Sequence, residues 1–240
     1  MPSDREIAAH ADPQLQQYFL VSPEKLSKLI TAADIRPTDD VLEVGAGIGT
    51  VARKLPMSRS LTVIEFDERL IGFLRQNMPH AKVMQANALE IIQRLSFDVL
   101  IGNLPNVVTE SLLKLIPRLS FRTAILAVSE STDLDQLGCA FSWSEVTRIS
   151  GDDFLPPQPS VSRIMKVVPV SRDGARLRRA PFRCLGDESA TTADGDHQAI
   201  LTQDAYRYAH RTAYPEGHDD MLSGIIARGA VETLQKEVGM

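Results

Sequence analysis

At 240 residues, with 43% apolar and 24% charged side chains, the chain has the composition of an ordinary soluble protein able to bury one α/β core plus a small appendage. A net charge of −5 argues against a wide basic face for gripping long nucleic acid, while leaving room for a local basic patch. No run approaches the ~18 apolar residues of a membrane span, and the opening M-P-S-D-R-E lacks the basic and apolar regions of a signal peptide.

Residues 1–13 are polar and read as loose. After Q-Q-Y-F-L at 16–20, Ser22 and Pro23 supply an N-cap and a first-turn proline for a helix. Leu26, Leu29, Ile30 and Ala33 give that helix one apolar face. A turn over 34–40 leads to V-L-E-V at 41–44, an apolar run suited to a buried parallel strand. Glycines follow at alternate positions, Gly45, Gly47 and Gly49, where missing side chains permit a sharp turn and close approach of a ligand. Residues 50–55 then read as the start of a helix whose first N–H groups face that ligand.

Spacing separates the ligands such a turn could hold. The dinucleotide fingerprint would place its third glycine at position 50, which is Thr50. Glu43, two residues before the turn, would repel a pyrophosphate but suits the ammonium of an amino-acid ligand. The next strand, 61–65, ends in Glu65, an acid placed to accept hydrogen bonds from both ribose hydroxyls. Adenosine joined to a methionine-like zwitterion is S-adenosylmethionine (SAM).

Further along, 68–77 reads as a helix ended by Pro79, and 81–85 as a strand from whose carboxyl end Asn87 emerges. A strand over 97–102 runs directly into N-L-P-N at 103–106. Residues 109–119 read as a helix with Leu112, Leu113, Leu115 and Ile116 inward, followed by a strand at 123–128. The segments 144–149 and 162–168 look like a closing antiparallel pair. Alternating strands and helices imply an α/β, doubly wound, mostly parallel sheet with its ligands at the strands' carboxyl ends.

Beyond residue 170 the composition changes, so a boundary is placed near 171, with domains at 1–170 and 171–240. The extension opens with Arg172, Arg176, Arg178, Arg179 and Arg183, continues through a Gly/Asp/Ser/Thr-rich stretch that reads as partly flexible, and offers helices at 201–210 and 221–238. The two cysteines, Cys139 and Cys184, form no C-x-x-C pair and imply neither a disulfide framework nor a zinc site, so a reducing cytoplasm is the expected compartment. His210 and His218 beside Asp219 and Asp220 read as a solvated tail, and no metal is expected.

Six motifs in this order resemble the rRNA adenine N6-dimethyltransferases, a family that includes the macrolide-resistance methylases. Q-Y-F-L at 17–20 resembles the family's Q-N/H-F-L, V-L-E-V-G-A-G-I-G at 41–49 its V-L-E-I-G-x-G-x-G, and I-E-F-D at 64–67 its V-E-x-D. N-A-L at 87–89 falls on D-A-L, G-N-L-P at 102–105 on G-N-L-P-Y, and 154–162 on F-x-P-x-P-x-V-x-S. The resemblance covers residues 14–169 and implies a Rossmann-like SAM-dependent methyltransferase fold with a small, divergent C-terminal extension.

That resemblance implies roles. Tyr18 and Leu20 would flank SAM, Gly45 and Gly47 would pass under its methionine part, Glu65 would hold the ribose and Asn87 would meet the adenine ring. Asn103 would accept a hydrogen bond from the amine being methylated, with the Leu104 carbonyl beside it, in the N-L-P-N segment completed by Pro105 and Asn106. Three departures bear on the acceptor. Asn106 replaces the aromatic that stacks on the flipped base, a contact worth ~1–3 kcal/mol, or ~5–150-fold. Asn87 replaces the acid of D-A-L but still accepts hydrogen bonds. Residues 129–137 are shorter than the matching segment and lack its basic and aromatic side chains.

The expected activity is therefore methyl transfer from SAM (EC 2.1.1) to an adenine N6 in RNA, with the arginine cluster at 172–183 as a further RNA contact. A small-molecule methyltransferase on the same scaffold is the alternative, and a non-catalytic RNA-binding assembly factor is a third reading.

Overall fold

The computed structural model describes residues 4–170. The first strand, β1, is the dipeptide Phe19–Leu20. It is followed by β2 (Asp40–Val44), β3 (Ser60–Glu65), β4 (Lys82–Gln85), β5 (Val99–Gly102) and β6 (Thr123–Ser129). The last three are β7 (Phe141–Ile149), β8 (Phe154–Leu155) and β9 (Ser162–Pro169). Seven of them form one sheet of order β4-β3-β2-β5-β6-β9-β7, while β1 and β8 pair apart from it. The first five strands in that order run parallel, and β9 pairs antiparallel with both β6 and β7. The expected antiparallel pair therefore closes the sheet.

Alternate strand residues enter opposite layers, as a two-sided sheet requires. Val99 and Ile101 pack with Leu26, Leu29 and Ala33 of α2 (Pro23–Ala33). Leu100 faces the other way, against Leu112 and Leu113 of α5 (Asn106–Leu115) and the adjoining Ile116. Between these two in sequence lie α3 (Glu68–Asn77), with the bounds expected, and the short α4 (Ala88–Ile91). Asp67 caps α3 by accepting the Arg69 N–H at 3.0 Å.

Three expectations are corrected. Residues Asp4–His10 form a helix, α1, because Ile7 finds a buried place against Phe19, Ile48 and Leu70. The helix expected over 50–55 is a single 3-10 turn, Ala52–Lys54, which ends where Leu55 becomes extended. It is too short for a helix dipole to act on a ligand. Helix α5 begins at Asn106, three residues before the expected start, since the carbonyl of Pro105, its N-cap, accepts the Val108 and Thr109 N–H groups and closes the first turn there. Leu115 is half-buried while Leu112, Leu113 and Ile116 are buried. The boundary near 171, the arginine cluster and the expected helices 201–210 and 221–238 lie outside the described residues.

Chain direction across the sheet reverses between β2 and β5: β3 and β4 lie to one side of β2, β5 and β6 to the other. That reversal opens a crevice beyond the strands' carboxyl ends. Register places Val44 beside Gly102, so the segments leaving β2 and β5 emerge next to each other.

Candidate active site

The glycine turn leaves β2 with positive φ at Gly45, Gly47 and Gly49. It is stitched to the neighbouring strand, since the N–H groups of Gly45 and Ala46 both donate to the Ile64 carbonyl, at 2.9 and 3.1 Å. Two approaches explain why side chains are missing here. A Cβ on Gly45 would collide with Leu104 Cδ2, and one on Gly47 would stand 2.6 Å from the Phe19 ring. The turn therefore brings the N-L-P segment onto one glycine and the N-terminal arm onto another.

Glu65 ends β3 and is 7% exposed. Its Oε2 accepts the Gly47 N–H at 2.7 Å and its Oε1 the Asp67 N–H at 2.8 Å. Burial nevertheless raises its pKa, more strongly than bonds from the Asp67, Gly47 and Phe66 backbone lower it. Glu43, on β2, is 3% exposed, and its pKa is pushed up to about 8 by burial first and by the Glu65 charge second. The Ala52 N–H and the Arg53 charge act in the opposite sense. Its Oε2 has no hydrogen-bond partner among the described residues. Two buried carboxylates thus lie close enough to repel, one of them with an oxygen still able to accept a bond.

Tyr18 is half-buried beside the core cluster that contains Leu20. Leu20 is fully buried with Leu26, Val41 and Ile101, so toward a ligand it has only its main chain to offer. Asn87 caps α4, its Oδ1 accepting the Leu89 N–H at 3.1 Å and its Nδ2 donating to Glu90 Oε1 at 2.9 Å. Asn103, Leu104, Pro105 and Asn106 are all half-buried. The Asn103 carbonyl lies 3.9 Å from the position of a Gly45 Cβ, and Asn106 is the first residue of α5. The structure brings Gly45, Gly47, Glu43, Glu65, Asn103 and Leu104 to the crevice, with Asn87 two residues beyond β4.

Some participants escape sequence reasoning. Phe19 sits between two assigned residues and covers Gly47, a role its apolar character did not reveal. Thr109, 2% exposed, donates its hydroxyl to the Leu104 carbonyl at 3.3 Å. Gln17 and Asp67, motif letters without assigned roles, are joined by a 2.7 Å bond across fifty positions of sequence. The loop after β6 is held from the neighbouring strands: Arg148 of β7 pairs with Glu130 at 3.0 Å, and Arg163 of β9 donates to the Thr132 carbonyl at 3.1 Å.

The family model for ribosomal RNA adenine dimethylase matches residues 8–138, more than half of the chain. A ribosomal RNA small subunit methyltransferase A from Dehalococcoides mccartyi is 27% identical over 178 residues, which are 64% of this chain and 61% of that protein. The chain thus spans less than two thirds of that relative's length. Among solved structures, a dimethyladenosine transferase from Plasmodium falciparum superposes with a TM-score of 0.56 at 25% identity, covering 63% of each chain. A 23S rRNA methyltransferase, ErmE, shares the fold with a TM-score of 0.56 at 22% identity, covering 66% of this chain and 74% of its own. On the matched motifs, the doubly wound sheet and the family model together, the chain belongs to the ribosomal RNA adenine dimethylase family.

Proposed function

We propose that the chain is a SAM-dependent methyltransferase that transfers a methyl group to an adenine N6 in RNA. The observation that supports this most is the meeting of two motifs at the crevice: Leu104 of N-L-P rests on Gly45 of the glycine turn. A cofactor laid along that turn would end beside the segment that orients the acceptor.

The residues fit SAM. The free Oε2 of Glu43 is an acceptor for an ammonium, whose charge would offset the burial that keeps the carboxyl protonated. Glu65 offers lone pairs to ribose hydroxyls, and by the family pattern Tyr18, Leu20, Gly47 and Asn87 complete the lining. When bound, SAM supplies a methyl group on a cationic sulfur. What remains for the protein is alignment, because an in-line displacement needs a nitrogen lone pair held in the right direction. By the same pattern the Asn103 side chain and the Leu104 carbonyl orient the amine, with Pro105 and Asn106 shaping the entrance. No general base is required, since the cationic amine product sheds its proton readily.

A small-molecule acceptor is the second reading. Two observations favour it: Asn106 where the family carries an aromatic, and the segment 129–137, which lacks the family's basic and aromatic side chains and whose Glu130 takes up Arg148 at 3.0 Å. A non-catalytic assembly factor has no use for two acids buried beside the glycine turn, which argues against the third reading. We place the protein in the cytoplasm and assign the RNA contact at 172–183 to the arginine cluster. Incubating the full chain with methyl-labelled SAM and either total RNA or a small-molecule extract tests the proposal. Label recovered as methylated adenine in RNA is expected. Label in the small-molecule fraction alone would overturn the RNA substrate, and no SAM binding at all would overturn the activity.

A further inference from the structure

The N-terminal arm meets the glycine turn and the end of β3 at two separate points. Gln17 Nε2 donates to Asp67 Oδ2 at 2.7 Å, while two residues on the Phe19 ring lies against Gly47. Those two contacts are themselves connected through Glu65, which accepts the Asp67 N–H on one oxygen and the Gly47 N–H on the other. Arm, turn and ribose-side carboxylate therefore form a closed ring of contacts.

Both members of the Gln17–Asp67 bond are held from behind. The Gln17 Oε1 accepts the Asp12 N–H at 3.2 Å, which orients its amide toward Asp67. Arg69 donates to Asp67 Oδ2 at 2.7 Å and approaches Asp12 at 3.5 Å. Burial opposes ionisation of Asp67, but the bonds from Arg69 and Gln17 outweigh it and keep its pKa below the ordinary value. Past Phe19 the arm is fixed again: β1 pairs with β8, and Val21 and Ser22 both donate to the Asp153 carbonyl, at 2.9 and 3.2 Å. An arm anchored at both ends and crossing the turn between them is a strap.

We infer that Gln17 and Asp67 are positioning residues that latch this strap across the cofactor's side of the crevice and hold Glu65 in the orientation that receives the ribose. The inference rests on the SAM reading above. A staple that only stabilises the fold would raise the melting temperature and leave ligand exchange alone. A latch acts on exchange, because the bond must break or the strap must flex each time the ligand leaves.

The experiment measures release of labelled SAM from the full-length protein by dilution into excess unlabelled SAM, alongside affinity and melting temperature. Gln17→Ala is expected to release SAM roughly tenfold faster, in the range for loss of a hydrogen bond to a charged group. Gln17→Glu sets two carboxylates against each other and is expected to be worse. Adding Asp67→Asn to Gln17→Glu restores that one bond with opposite polarity at the cost of the Arg69 bonds to Oδ2, so its release rate is expected between those of Gln17→Glu and wild type, with the helix cap and the Asp12 N–H bond kept. Return of the release rate toward the wild-type value in this double variant supports the latch. Release from Gln17→Ala within about twofold of wild type, whatever its melting temperature, would overturn it. If Gln17→Ala fails to fold, the comparison between Gln17→Glu and the double variant decides. Wild-type protein that binds no SAM would overturn the functional reading and the latch with it, which separates the two failures.

Discussion

The two sides of the crevice differ in how their polar groups are satisfied. On the β2–β3 side, the backbone N–H groups of Gly45, Ala46, Gly47 and Asp67 all have partners within the protein, and two carboxylates are buried at the resulting junction. On the β5–β6 side, the N-L-P-N segment is half-buried, and the Thr109 hydroxyl is what ties its Leu104 carbonyl. The loop beyond β6 spends its charge on a pair between Glu130 and Arg148. The first side keeps the glycines and the two acids of the family pattern and departs from it mildly at Asn87, while the second side departs from it at Asn106 and over 129–137. A site that must bind one invariant ligand tolerates little change where backbone and buried charge are committed. A site facing a variable acceptor changes through half-buried loops at small cost in stability.

The largest effect expected from breaking this contrast comes from Glu43. Its folded pKa of about 8 lies above the ordinary 4.5, so between those values the folded chain holds a proton that the unfolded chain has released. Stability should therefore fall as pH rises through that window, by roughly 2–4 kcal/mol over two to three pH units. Melting curves from pH 5.5 to 8.5 should show this decline, and Glu43→Gln should flatten it. Saturating SAM should flatten it as well, if its ammonium takes the free oxygen. A decline that persists unchanged in Glu43→Gln would assign the effect to another group.

Next in size is Glu65→Ala. It removes the carboxylate and leaves the Gly47 and Asp67 N–H groups without their acceptor. SAM affinity should fall ~10–150-fold, or ~1.5–3 kcal/mol. Calorimetry finding unchanged affinity would take Glu65 out of the site and remove the asymmetry between the two sides.

Asn106→Tyr probes the acceptor side directly. Because Asn106 is a half-buried first residue of α5, whose N-cap is Pro105, exchanging it should leave the fold intact. If the acceptor is an RNA adenine, the restored π-face should raise methylation by ~5–150-fold, the worth of one base–aromatic stack. Loss of labelling with SAM affinity intact would instead favour the small-molecule acceptor.

The smallest effect belongs to Asn87→Asp, which restores the family's acid. Aspartate keeps the cap on the Leu89 N–H but meets Glu90 as a like charge. Stability should change by less than ~0.5 kcal/mol. SAM affinity should stay within about threefold, since asparagine already accepts the same hydrogen bond. A larger gain in affinity would mean that the cap and the ligand compete for one oxygen.

Sequence alone carries the order of strands and helices, because apolar periodicity and Pro/Asp punctuation are local: α3 has the bounds expected, from its Asp67 cap to its last residue Asn77 before Pro79. It also carries the identity of the glycine turn and of its two acids, since alternate glycines after an apolar run leave few other readings. It fails where a segment's fate depends on distant partners. Residues Asp4–His10 look loose until Ile7 finds Phe19, Ile48 and Leu70, and 50–55 looks helical until the return to extended chain at Leu55 cuts it to one turn. The strap over Gly47, the bond between Gln17 and Asp67, and the rise in the Glu43 pKa were decided only by the tertiary structure. Each depends on which groups the sheet order places side by side and how much water it excludes between them, and neither quantity is written in a local stretch of residues.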